Sequence, residues 1–89
     1  MIQRDLTIVN KLGLHARAAA KFVTTASGFA AQINVKKGER TVNGKSIMGV
    51  MMLAAGKGST ITLTAEGPDA EAALDGLATL VAERFGEGE

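Results

Sequence analysis

Cysteine, tryptophan and tyrosine are absent from this chain of 89 residues, and histidine and proline occur once each. Without cysteine there are no disulfides and no thiolate metal sites, which suits a reducing compartment. A single histidine has no second imidazole or thiolate to complete a transition-metal site, so no metal is expected. The aromatic residues are Phe22, Phe29 and Phe85, and none falls on a strand where an RNA-recognition sheet would stack bases. A net charge of +1 supplies no broad basic field for nucleic acid. No apolar run approaches the roughly 18 residues of a membrane span, and Arg4 and Asp5 interrupt what would be a signal-peptide core. A cytoplasmic protein with no nucleic-acid partner, no membrane insertion and no cofactor is expected.

What the chain does have is small and medium apolar residues, 46% of the total. That is enough for one core built from Ala, Val, Ile, Leu and Met. There is no linker, repeat or low-complexity segment, so a single domain over residues 1–89 is expected. In residues 2–9, Ile2, Leu6 and Ile8 share one face of a strand while Gln3, Asp5 and Thr7 take the other. A loop over 10–14 leads to a helix over 16–27, with Ala19, Phe22, Val23 and Ala26 at helical spacing and Gly28 as its C′ stop. Ala31, Ile33 and Val35 mark a second strand, turning through Lys37-Gly38-Glu39 into a short third strand over 40–42. Residues 46–53 read as a short helix between Gly44 and Gly56. Ile61, Leu63 and Ala65 alternate with Thr60, Thr62 and Thr64 in a fourth strand with a threonine outer face. Gly67-Pro68-Asp69 starts a last helix whose buried stripe is Ala70, Ala73, Leu74, Leu77, Val81 and Phe85, and residues 86–89 are expected to fray. The order βαββαβα predicts an α+β, open-faced β-sandwich: a four-stranded antiparallel sheet with three helices packed on one face.

His15 stands in Gly13-Leu14-His15-Ala16-Arg17, where the N-cap of the first helix falls. In one reading it is a surface residue or a simple cap. In the other it is a nucleophile, because a helix start offers unpaired N–H groups and a positive dipole end that would hold a phosphoryl group, with Arg17 beside it. The helix end also favours the neutral imidazole that nucleophilic attack requires. The small neighbours Gly13, Ala16 and Ala18 would let a partner protein come close.

Ser46, in Asn43-Gly44-Lys45-Ser46, is a natural N-cap and equally a place where a phosphate would be stabilised; both roles can hold together. Gly44-Lys45-Ser46 and Gly56-Lys57-Gly58-Ser59 have the look of a P-loop ending. Glu39 and Met51 stand where its first glycine must be, so ATP hydrolysis is rejected. Met48, Met51 and Met52, with Ile47 and Leu53, cannot all face inward on so short a helix. Core packing and an adaptable interaction face are both open to them.

The stretch Gly13-Leu14-His15-Ala16-Arg17-Ala18-Ala19-Ala20, with Lys45-Ser46-Ile47-Met48-Gly49-Val50-Met51 further on, resembles the HPr family of histidine-containing phosphocarriers of the bacterial phosphoenolpyruvate-dependent phosphotransferase system. The resemblance runs over essentially the whole chain. It implies that His15 takes a phosphoryl group on Nδ1 from phosphorylated Enzyme I and passes it to IIA domains of sugar permeases. Arg17 would balance the phosphate charge, and the backbone N–H groups of Ala16 and Arg17 would cap it. Ser46 would be the regulatory serine addressed by HPr kinase/phosphorylase. Leu14, Ala20, Ile47, Met48 and Met51 would fall where partners dock.

Ala18 replaces the family's usual proline, which should loosen the first helical turn slightly. Thr24, Ser27 and Gly49 stand where some members carry lysines, which weakens steering toward acidic partners. The expectation is a monomeric carrier without enzymatic turnover of its own. A regulatory or nitrogen-branch relative acting through phosphorylation-dependent protein binding is the alternative.

Overall fold

Alternation along residues 2–7 produces the first strand, and the rest of the architecture follows from pairing it. The structure is a computed structural model that describes residues 1–88; Glu89, the last residue of the expected domain and tail, lies outside the described residues. In chain order the elements are β1 (Ile2–Thr7), α1 (Ala16–Ser27), β2 (Gln32–Lys37), β3 (Arg40–Asn43), α2 (Ile47–Met52), β4 (Thr60–Glu66) and α3 (Ala70–Ala82), followed by a short 3-10 turn at Arg84–Gly86. The antiparallel sheet runs β1-β4-β2-β3. It is the expected open-faced sandwich with its three helices on one side.

Register puts the two faces of the sheet to different uses. Leu6 lies opposite Ile61, and Val35 opposite Leu63, so the apolar residues of three strands meet on one side. There Ile33, Val35, Ile61 and Leu63 pack with Phe22 of α1, Leu74 and Leu77 of α3, and Phe85. Arg4 shares the inner face of β1 and reaches the Asp75 carboxylate on α3 at 2.7 Å. The other face is open and carries Gln3, Asp5, Thr60, Thr62 and Thr64, with Thr62 Oγ1 donating to Asp5 Oδ1 at 2.7 Å. β2 and β3 join through Gly38 and Glu39 alone, and Gly38 supplies the positive φ (61°) that such a loop requires.

Three expectations need correction. Gly28 is the C-cap itself, in right-handed conformation at φ −75°; α1 closes by the Gly28 N–H bonding to Thr25 O at 3.1 Å, not by a left-handed glycine. Pro68 precedes the cap of α3, and the helix begins at Ala70. Phe85 is not part of that helix. α3 ends at Ala82, and the chain then reverses through Arg84, Phe85 and Gly86 at φ 57°, 55° and 76°.

Left-handed backbone costs about 1–2 kcal/mol for each non-glycine residue. Burying Phe85 completely returns about 1.5–3 kcal/mol, so side-chain burial offsets much of the strain without removing it. The Lys21 ammonium, which donates to Phe85 O at 2.6 Å, fixes the reversal from α1.

Asp69 stands at the N-cap of α3 but makes no side-chain cap bond. Its carboxylate instead accepts the Ala30 and Ala31 N–H groups, each at 2.8 Å, tying the α1–β2 loop to the start of α3. The Ala30 amide does most to hold the Asp69 carboxyl below the usual aspartate value; burial opposes it, and the Ala31 amide and the Lys45 charge add to the lowering. A carboxyl depressed in the folded state stabilises it above the ordinary aspartate range, and that stability is lost as pH falls through the native value. Asp69→Asn is therefore expected to melt at lower temperature than the native protein at neutral pH, with the gap closing in acid, as scanning calorimetry at both pH values will show.

Candidate active site

The loop before α1 is held from below by Asn10, the fully buried polar residue of the described core. Its Nδ2 donates to Gly13 O at 2.8 Å and to Glu87 Oε1 at 3.0 Å, while the Gly13 N–H returns to Asn10 O at 3.2 Å. Gly13 has φ 69° and passes so close to the Ala55 carbonyl that a Cβ there would collide with it. Leu14 N–H then donates to that same carbonyl at 2.8 Å. The next residue, His15, is delivered in extended conformation (φ −75°, ψ −179°) to the N-cap of α1.

The two imidazole nitrogens face different partners. Nδ1 accepts the backbone N–H of Arg17 at 3.3 Å, so it carries a lone pair and the ring proton sits on Nε2. Nε2 meets the Glu87 carboxylate through Oε2. At 3.3 Å the Nδ1 contact is at the long end for a hydrogen bond and easily exchanged for another partner. The Nε2 contact is charge-assisted and stronger.

Arg17 is exposed, and with Lys11, His15 and Glu87 it lines an open depression of ≈ 600 Å³. Burial pushes the Glu87 carboxyl up. The hydrogen bonds from Asn10 and His15, with the Lys21 charge adding to them, outweigh that, and its pKa lies below the usual glutamate value.

Sequence reasoning placed His15 and Arg17 together, and the structure brings them together. It missed Asn10 and Glu87. Residues 86–88, expected to fray, instead return to the site, with the Glu87 side chain 14% exposed against 29% for His15. No local periodicity signals a contact between residues 72 positions apart. Of the small neighbours, only Ala16 is exposed; Gly13 and Ala18 are buried. Ala18 packs in the core of α1's first turn.

Ser46 caps α2, its Oγ accepting the Gly49 N–H at 3.1 Å. Ile47, Met48, Met51 and Met52 are exposed at 44%, 70%, 37% and 58%, which resolves the open question in favour of an outward face. Ala20 is half-buried. Leu14 is 5% exposed, so its side chain belongs to the core and offers a partner little surface. Among the described residues, no three His, Cys, Asp or Glu side chains converge on a candidate metal position, and no helix is long and apolar enough to cross a membrane.

The comparisons fit this layout. The sequence profile described as "PTS HPr component phosphorylation site" matches residues 2–83. The chain is 60% identical to the phosphocarrier protein HPr of Cupriavidus necator over 89 residues, all of both chains. It is 49% identical to the phosphocarrier protein NPr of Shewanella violacea over 86 residues, covering 97% of this chain and 94% of the relative. Its fold matches an HPr crystal structure from Thermoanaerobacter tengcongensis with TM-score 0.94, 49% identity and 98% of each chain covered; an HPr dimer from that organism is also similar, at TM-score 0.79. A half-buried capping imidazole on this sandwich is thus found in a phosphocarrier of the phosphotransferase system. The chain belongs to the HPr family.

The close approach at Gly13 gives a direct check on how the site is supported. Gly13→Ala forces a side chain against Ala55 in a left-handed conformation and should destabilise the fold by at least ~1–2 kcal/mol, measured by urea unfolding.

Proposed function

We propose that this chain accepts a phosphoryl group on His15 Nδ1 from phosphorylated Enzyme I and hands it to IIA domains. The observation that carries this reading is that Nδ1 is held at the start of α1 by one long bond, from the Arg17 N–H at 3.3 Å. The Nδ1 lone pair attacks phosphorus in line with the departing donor nitrogen. The N–H groups of Ala16 and Arg17, the positive end of α1 and the Arg17 guanidinium then balance the phosphate charge. Because the site is open to solvent and lacks a substrate cavity of its own, partner proteins bring the other half of the chemistry, and the chain has no turnover of its own. In this reading it works as a monomer in the cytoplasm, with His15, Arg17 and Glu87 of one chain forming the site.

Regulation through Ser46 is the second part of the proposal, favoured by the place of that hydroxyl. It caps α2 directly before the exposed Ile47 and Met48, so a phosphate there would put negative charge on the face proposed for docking with Met51 and Ala20. A regulatory or nitrogen-branch relative acting through phosphorylation-dependent protein binding is the alternative setting, in which this output would dominate.

Incubation with Enzyme I and labelled phosphoenolpyruvate should place acid-labile label on the native protein and none on His15→Ala, while Arg17→Ala takes it up about a hundredfold more slowly. An unlabelled native protein, or a labelled His15→Ala, contradicts the reading. With HPr kinase/phosphorylase and ATP, acid-stable label should disappear in Ser46→Ala.

A further inference from the structure

We infer that Glu87 is a positioning residue that decides which nitrogen of His15 is phosphorylated. This rests on the carrier reading above and adds to it a residue outside the span 2–83 that the family profile matches. An exposed imidazole can react at either nitrogen, and the choice is set by what each one faces. Here the Glu87 carboxylate covers Nε2 and accepts a hydrogen bond from its N–H, while Nδ1 keeps its lone pair beneath the open end of α1.

The carboxylate is itself held. Its second oxygen accepts from the buried Asn10 amide at 3.0 Å. The segment carrying it doubles back through two left-handed non-glycine residues, Arg84 and Phe85. That strained reversal is pinned by the buried Phe85 ring and by the Lys21 ammonium on Phe85 O.

The same contact serves the transfer step. As the Nδ1 lone pair forms the bond to phosphorus, the bond from phosphorus to the leaving group breaks and its electron pair departs with that group. The ring gains one positive charge, and Nε2 keeps the proton it shares with Glu87. A carboxylate in this place offsets the charge that appears on the ring, as the acid member of a catalytic triad does for its imidazolium. When the phosphoryl group moves on, the electron pair returns to Nδ1 and the ring is neutral again.

Phosphoramidate tests this without any partner protein, because ammonia is its leaving group and His15 is the sole imidazole. Native protein, Glu87→Ala and Glu87→Gln are treated with it, and the phosphohistidine isomers are resolved by phosphorus NMR. The native protein is expected to give the Nδ1 isomer alone. Glu87→Ala should give both isomers, with the Nδ1 isomer forming about tenfold more slowly (~1.4 kcal/mol). Glu87→Gln, which keeps an acceptor oxygen without the charge, should restore the isomer preference but not the rate. Nδ1 phosphorylation alone at the native rate in Glu87→Ala overturns the inference. Native protein that reacts with phosphoramidate yet takes nothing from phosphorylated Enzyme I would sink the carrier reading and leave the role of Glu87 standing.

Discussion

An α-helix starts with backbone N–H groups that have no partner inside it, and the site is organised around that deficit at the start of α1. His15 satisfies one of these groups with Nδ1. It is an unusual cap, because an imidazole has a second nitrogen that needs a partner of its own. Using Nδ1 as the acceptor fixes the ring proton on Nε2 and so fixes the chemistry available at each edge. A serine or aspartate in the same place would cap the helix as well and carry no phosphoryl group on nitrogen.

The sandwich makes that helix start a rigid point. Ala18, Ala19, Phe22 and Ala26 are fully buried in the shared core, with α1 packed on α2 and α3, so the helix is held in place. From the other side, Gly13 is pressed against Ala55 and Asn10 holds the loop by its amide. Three segments far apart in sequence, the loop before α1, the loop near Ala55 and the return after α3, therefore set one side chain. Precision at the site comes from packing of the whole domain, while the site itself stays open toward partners.

Much of this was legible in the sequence, because α1 and β4 carry strong periodic signals and their edges carry turn residues. α1 spans Ala16–Ser27 as its apolar spacing predicts, and the two-residue turn at Gly38 follows from the glycine. The exposed methionines could be read from length alone, since α2 is six residues long and has room to bury little besides Val50. What was not legible is long-range or against local preference. Phe85 looked like the next position of a helical stripe, and nothing local announces that Arg84 and Phe85 turn left-handed. Glu87 looked like part of a polar, glycine-rich end and is in fact a partner of His15. Asp69 was legible only as part of the start of α3, and its carboxylate goes to the Ala30 and Ala31 amides.

The most direct test of the account is nitrogen–phosphorus coupling in the nitrogen-15-labelled protein after phosphorylation by Enzyme I and phosphoenolpyruvate. The account predicts one coupled nitrogen, His15 Nδ1, with Nε2 still carrying its proton. Coupling at Nε2, or phosphorus on any residue other than His15, would contradict it.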